Sequence, residues 1–406
     1  MTDRDAYAST LAARFTASGI TGEASHARAA DALATIQDRL NAASGNAVRE
    51  AWWRRGGELF EPVLLAARRA PHPIPLEAEQ VRRSLIATGR AEVTRWTFAP
   101  VDSAGALSAV DRAEAKIAAD HPMVEEVSTY LTEVRQGWQQ LRALHDGLLT
   151  DTELAQVWSA RWRLPDSGEL ASAHQVVNRP TVVFLEGPVP RPSAVLARFA
   201  AALALAAPGW TVEERRQSAA IASVSPERRV VNIDPTRVDN EHALERLVVH
   251  EVLGHAARAH RASKRADMLS SVALGADAPE TEEAMAMLAE REHEVSHPII
   301  ERRYAARLIG VAVASVAGID EVYAELLRWL SPLEAAAIAV RVKRGISCPG
   351  RAGAYSKDVV YRRGGATLER YLAAYPDDLP VLRATKWGFS VVRRFGGLLL
   401  ETGGRL

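Results

Sequence analysis

Leu244 to Arg261 reads LERLVVHEVLGHAARAHR. Leu244, Leu247, Val248 and Val252 recur at helical spacing, which predicts a helix with one buried face. The same helix carries His250, Glu251 and, five residues after the first histidine, His255. Neutral imidazole is a good ligand for zinc, and a carboxylate beside the first ligand is placed to take a proton from a water. The familiar H-E-x-x-H pattern of zinc peptidases sets its histidines four apart, which faces both rings the same way. Five residues at about 100° each turn the second ring by about 140° from the first. A straight α-helix would not aim both rings at one ion. The metal reading therefore requires a local bulge or overwound turn, and bulges of the π type are found at functional sites. Gly254 lies in that turn, where a missing side chain makes distortion easier. Taken alone, the segment also fits two core or surface histidines on an alanine-rich helix.

A catalytic zinc site needs a third protein ligand besides its water. Asp277 to Pro298 reads DAPETEEAMAMLAEREHEVSHP. Asp277 followed by Glu280 resembles a capping box, with Pro279 in the first turn, so a helix is expected to begin there. Glu280, Glu282 and Glu283 crowd its N-terminus, where the helix dipole favours acids whatever their function. Spacing does not choose among them. His260, His293 and His297 are rival ligands by proximity in sequence, whereas His26, His72, His121, His145, His174 and His242 have no motif around them. Further on, GAYSKDVVYRRG (Gly353 to Gly364) offers Ser356, Lys357, Tyr361, Arg362 and Arg363. Arginine recognises a carboxylate bidentately and lysine does so as a point charge. Lys357 or Tyr361 is also suited to stabilise a developing oxyanion. The plainer alternative makes Lys357-Asp358 a surface pair and Tyr361 a core residue.

Three blocks, HEVLGHAAR (His250 to Arg258), TEEAMA (Thr281 to Ala286) and GAYSKDVVYRRG, stand in the order of three blocks of the DUF1704 family, which the chain resembles over about residues 170 to 400. That family includes the tubulin tyrosine carboxypeptidases of the microtubule-associated type. The resemblance implies zinc-ligand roles for His250 and His255, a catalytic role for Glu251, and Glu283 as the third ligand. It implies Zn2+ as the cofactor and the C-terminus of a peptide or protein as the substrate. Lys357 and Tyr361 join Glu251 as candidate catalytic groups. Arg258, Ser356, Arg362 and Arg363 are candidate substrate contacts. Glu282, Ala284 and Met285 stand where the family pattern has Gln, Gly and Leu, a departure that bears on substrate choice more than on the metal.

The rest of the chain sets bounds. Its 406 residues allow one large or two modest domains, and 48% hydrophobic with 25% charged residues is the balance of a globular protein. Fifty basic residues balance fifty acidic ones, which argues against a dedicated nucleic-acid binder. Cys348 is the only cysteine, so an internal disulfide and a cysteine-rich zinc site are both excluded. The opening MTDRDAYASTLAARF lacks the pattern of a secretory signal, and the apolar run Phe199 to Ala207 is too short to span a bilayer. A cytoplasmic protein without a membrane partner is expected.

The predicted fold is α+β and mainly helical: a zincin-like metallopeptidase core (161–406), with a small sheet beside the metal-binding helix, preceded by a helical N-terminal region (1–160). Helices are predicted at Ala27 to Asn46, Leu107 to Asp120, Met123 to Leu149 and Ser193 to Ala207. Strands are predicted at Val93 to Phe98, Thr181 to Leu185, Trp210 to Glu213, Ala219 to Val224 and Arg229 to Ile233. Helix is expected almost throughout from Asp239 to Leu333 and on through Arg344. Either of the last two strands is a candidate edge for pairing with a substrate backbone. The predicted activity is zinc-dependent removal of a C-terminal residue. Two other readings stand beside it: a dedicated processing peptidase releasing a modified residue from a carrier peptide, and a non-catalytic partner-binding protein with a structural metal.

Overall fold

The computed structural model describes residue 64 and residues 67–116, 123–180, 187–216, 220–265 and 269–401. The helix predicted at Ala27 to Asn46 and the strand at Thr181 to Leu185 lie outside the described residues. The fold is α+β and mainly helical, with a small sheet beside the helix that carries both histidines.

Before the sheet come α1 (Ala78–Thr88), α2 (Ser103–Glu114), α3 (Val124–Asp146), α4 (Asp151–Arg161), α5 (Ser167–Val177) and α6 (Pro192–Ala206). Local sequence explains their starts. Thr150 with Glu153, and Asp166 with Glu169, form reciprocal capping boxes at α4 and α5. Gly147 ends α3 in the left-handed conformation that glycine adopts without strain. Val93 to Phe98 is not a strand. Phe98 makes a single bridge to Pro75, and a proline has no N–H with which to extend a ladder.

Among the described residues the sheet has three strands, β1 (Thr211–Glu214), β2 (Ala222–Ser225) and β3 (Val230–Ile233), in the order β1-β3-β2. β3 runs parallel to β1 and antiparallel to β2. All four β3 residues are buried. The central place of β3 rules it out as a substrate edge; β2 is an outer strand among the described residues.

After the sheet, α7 (Glu241–Val248) leads into a π-helix (Val249–Ala256) and then α8 (Ala257–Lys264). Next come α9 (Ala278–Glu292), α10 (Pro298–Val316), α11 (Ile319–Leu326), α12 (Pro332–Lys343), α13 (Val359–Ala374), α14 (Leu379–Ala384) and α15 (Phe389–Glu401). Asp277 does precede α9, but it forms no capping box. Its carboxylate instead accepts hydrogen bonds from Ser390 N at 2.8 Å and Ser390 Oγ at 2.7 Å, tying α9 to the start of α15.

Among the described residues, the three largest apolar clusters hold these elements. One packs α6, the sheet and the α7–π segment through Phe199, Val231, Leu244, Val248 and Val252. A second joins Leu154 and Trp158 of α4 to α10, α11 and α12, and a third joins α3 to α9, α14 and α15. Both of the latter contain residues from each side of position 160. Among the described residues no helix is long and apolar enough to cross a membrane.

Candidate functional site

Leu244, Leu247, Val248 and Val252 are all buried, as their spacing requires, and they seat the α7–π segment against the sheet cluster. The π-helix resolves the five-residue spacing. Its hydrogen bonds run from i to i+5, so residues five apart lie about one turn apart. His250 and His255 thereby face each other, with ring centroids 4.9 Å apart and Nε2 atoms 3.3 Å apart. Gly254 contributes in a way the sequence argument did not anticipate. A Cβ there would sit 2.7 Å from Ala286 Cα, so the missing side chain is what lets the π-helix lie against α9.

That close approach brings in the third group. Glu283 Oε2 lies 3.5 Å from His250 Nε2 and 3.7 Å from His255 Nε2. All three residues are buried, and Glu283 Oε2 has no hydrogen-bond partner among the described residues. Three ligand atoms about 2.0–2.1 Å from a tetrahedral zinc lie about 3.3–3.4 Å apart, so the cluster has the right size and donor set for that ion. His250, His255 and Glu283 are the residues able to hold a metal here.

The outward nitrogens reinforce this. His250 Nδ1 lies 2.8 Å from Glu290 Oε1, and His255 Nδ1 lies 2.8 Å from Glu282 Oε1. With each Nδ1–H donating to a carboxylate, both Nε2 lone pairs point into the same small space. Facing lone pairs repel unless a cation lies between them. Burial pulls His255 down, but the Glu282 and Glu283 carboxylates override it and raise the ring to about 10; His250 is raised likewise, by Glu283 and Glu290. The surroundings thus favour positive charge at the two rings. Glu290 in turn accepts from Arg246 Nη1 at 2.8 Å and from Tyr304 OH at 3.2 Å. Glu282 pairs with Arg258 and Lys386.

Glu251 projects from the π-helix next to His250. It is buried to 8% exposure, and no described residue hydrogen-bonds its carboxylate. A cavity of about 410 Å3 opens onto His250, Glu251 and Tyr361. Tyr361 stacks on Tyr304, with centroids 5.3 Å apart, and burial pushes its hydroxyl up to about 12, so the phenol keeps its proton. Lys357 Nζ lies 4.0 Å from Glu283 Oε1 and 2.8 Å from His72 Nε2. Burial pulls it down to about 8 against the opposing pull of Glu283.

The other candidates lie elsewhere. Arg258 is buried inside the fold, where its guanidinium bonds Glu282, Leu382 O at 2.7 Å and Trp387 O at 3.0 Å. Ser356 is fully buried and donates to Trp158 O. Arg362 donates to Ser172, and Arg363 to Glu169, so both tie α13 to α5. None of these four lines the cavity. Sequence reasoning missed Glu290, Arg246, Tyr304, Lys386 and His72. Only Glu290 carried a usable signal: it lies two helical turns beyond Glu283 and so on the same face of α9.

The family model described as microtubule-associated tyrosine carboxypeptidase matches residues 135–401 of the chain. No curated protein matches it.

Proposed function

Because the chain belongs to the microtubule-associated tyrosine carboxypeptidase family, we propose that it is a zinc-dependent hydrolase of carboxypeptidase type, removing the C-terminal residue of a peptide or protein. One observation carries the reading: two imidazole Nε2 atoms and a buried carboxylate oxygen converge within 3.7 Å, beside a glutamate that has no hydrogen-bond partner among the described residues.

Zinc held by His250, His255 and Glu283 would supply Lewis acidity toward the scissile carbonyl and make a neighbouring water more acidic. Glu251 takes the proton of the attacking water and passes it to the leaving amine. Its carboxylate is suited to this because no described group already donates to it. The Tyr361 phenol, kept protonated by burial, donates to the developing oxyanion. Glu282 and Glu290 hold the rings in the tautomer that presents Nε2. The buried walls around Glu251 limit water to the reacting site.

The test is mass spectrometry of a mixed peptide pool after incubation with wild-type protein and with Glu251→Gln, alongside measured zinc content. Loss of one C-terminal residue with wild type alone, both proteins holding zinc, supports the proposal. Normal turnover by Glu251→Gln removes it.

A further inference from the structure

Among the described residues six arginines line the cavity that opens onto His250 and Glu251. Four of them are paired with carboxylates: Arg82 with Glu79, Arg246 with Glu290, Arg303 with Glu334, and Arg341 bidentately with Asp358. Arg307, on α10, is different. Among the described residues none accepts a hydrogen bond from it and no carboxylate pairs with it; its Nε is buried without a partner there, as are those of Arg82 and Arg246, whose Nη groups are paired. It is held instead by two aromatic faces. Its guanidinium carbon lies 4.4 Å from the centroid of the Tyr361 ring and 5.5 Å from that of Tyr304. Cation–π contact fixes a planar cation in place while leaving its N–H groups unused. Only Nε is withdrawn from water, at a cost while it has no acceptor, and the Nη groups stay open to the cavity, so a ligand carboxylate could take both.

We propose that Arg307 binds the C-terminal carboxylate of the substrate; this rests on the carboxypeptidase reading above. The position is right for the task. Tyr304, under the same guanidinium, donates to Glu290, and Glu290 holds His250. The anchor and the metal ligand therefore belong to one connected wall of the cavity, with Glu251 beside them. Residues 220–222, at the start of the outer strand β2, border the same space. Lys357, the cation that the sequence puts forward for this role, is bonded to His72 and does not line the cavity. The ligand class is an α-carboxylate with two acceptor oxygens, matched to the two-pronged face of a guanidinium. Arg307 sets exopeptidase specificity by distinguishing a free C-terminus from a blocked one.

The experiment uses zinc-loaded Glu251→Gln protein, which holds peptide without cleaving it, and matched peptides with free or amidated C-termini. Affinity for each pair is measured by titration calorimetry, then again with Arg307→Met and with Arg307→Lys in the same background. The parent is expected to prefer the free acid by about 10- to 100-fold, as for a charge-assisted hydrogen-bond pair. Arg307→Met should bring the two forms to near parity, mainly by weakening the acid. Arg307→Lys should retain part of the preference and guards against misfolding of the Met variant, which thermal melting also monitors. An unchanged acid-to-amide ratio in both folded variants overturns the anchor but leaves the peptidase reading intact. No preference in the parent overturns the anchor too, and cleavage of the same pairs by wild type then decides the peptidase reading separately.

Discussion

Glu290 and Glu282 each hold the outward nitrogen of one histidine, yet they are neutralised differently. Glu290 is fully buried and shared between His250, Arg246 and Tyr304, whereas Glu282 is pinned by Arg258 and Lys386. Replacing such a partner typically lowers metal affinity by about 10- to 100-fold. Glu290→Gln is expected to fall in that range in a competition titration against a zinc chelator, and retention of full affinity would refute the orienting role. Lys343, which does not line the cavity, is a different kind of buried basic group: burial pulls its amine down to about 7. Its Nζ donates to the carbonyls of Ala314, Ala317, Arg351 and Gly353, joining the end of α10 to the loop after α12. Lys343→Met removes the donor these carbonyls share, although Ala314 O still accepts from Gly353 N at 2.8 Å. The expected loss is roughly 3 kcal/mol or more in urea unfolding, with zinc content unchanged.

At the scale of elements, α9 lies between the π-helix and α13, and both contacts depend on glycine. A Cβ on Gly254 would meet Ala286 Cα at 2.7 Å, and one on Gly364 would meet Glu280 O at 2.5 Å. Gly254→Ala is expected to cost about 1–3 kcal/mol of stability and, by pushing Glu283 away from the histidines, to weaken zinc binding as well. Gly364→Ala should cost a similar amount. The bidentate pair between Arg341 of α12 and Asp358 is a further inter-element tie. Burial alone would raise the Asp358 carboxyl, but the Arg341 guanidinium wins and holds it well below the usual range. A depressed carboxylate stabilises the fold above its unfolded value of about 3.9 and loses that contribution as pH falls toward the folded value. The melting temperature of wild type should therefore drop below about pH 4. Asp358→Asn should melt lower at neutral pH, because it strands a buried cation, and should show a shallower acid decline. These ties also mark what sequence can convey. The apolar stripe, the HExxxH spacing and the need for a non-α turn were legible, because periodicity and ring geometry are local. The surroundings of Arg258 were not legible, because an arginine beside a motif looks the same whether it faces a cavity or bonds Glu282 and the Trp387 carbonyl. Arg307 was missed because its neighbours Tyr304 and Tyr361 come from two different helices.

Across the whole molecule, the metal-ligand cluster is not the main source of cohesion. The α7–π segment is seated by the sheet cluster, and α9 by the cluster it shares with α3, α14 and α15. Chelation is therefore expected to lower the melting temperature, through loss of binding energy to the native state, while far-UV circular dichroism at 25 °C stays helical. Unfolding on chelation would instead point to a structural metal. The clusters that span position 160 make a further division of the chain testable: a fragment beginning at residue 161 would lose Trp158, which donates to Gly345 O, and is expected to be less stable than the full chain in limited proteolysis.

The π-helix has one more consequence. Relative to an unbroken α-helix it carries one surplus residue, and everything after it is rotated by that residue's share of a turn, about 100°. Deleting Leu253 would turn the motif into H-E-x-x-H and look like a repair. The same deletion would swing α8 about its axis and carry Arg258 away from Glu282, Leu382 O and Trp387 O, its three present partners. The surplus residue therefore acts as a phase setting for two distant appointments, the metal cluster on one side and the α14–α15 corner on the other. A sequence with the commoner spacing could keep the first only by rebuilding the second.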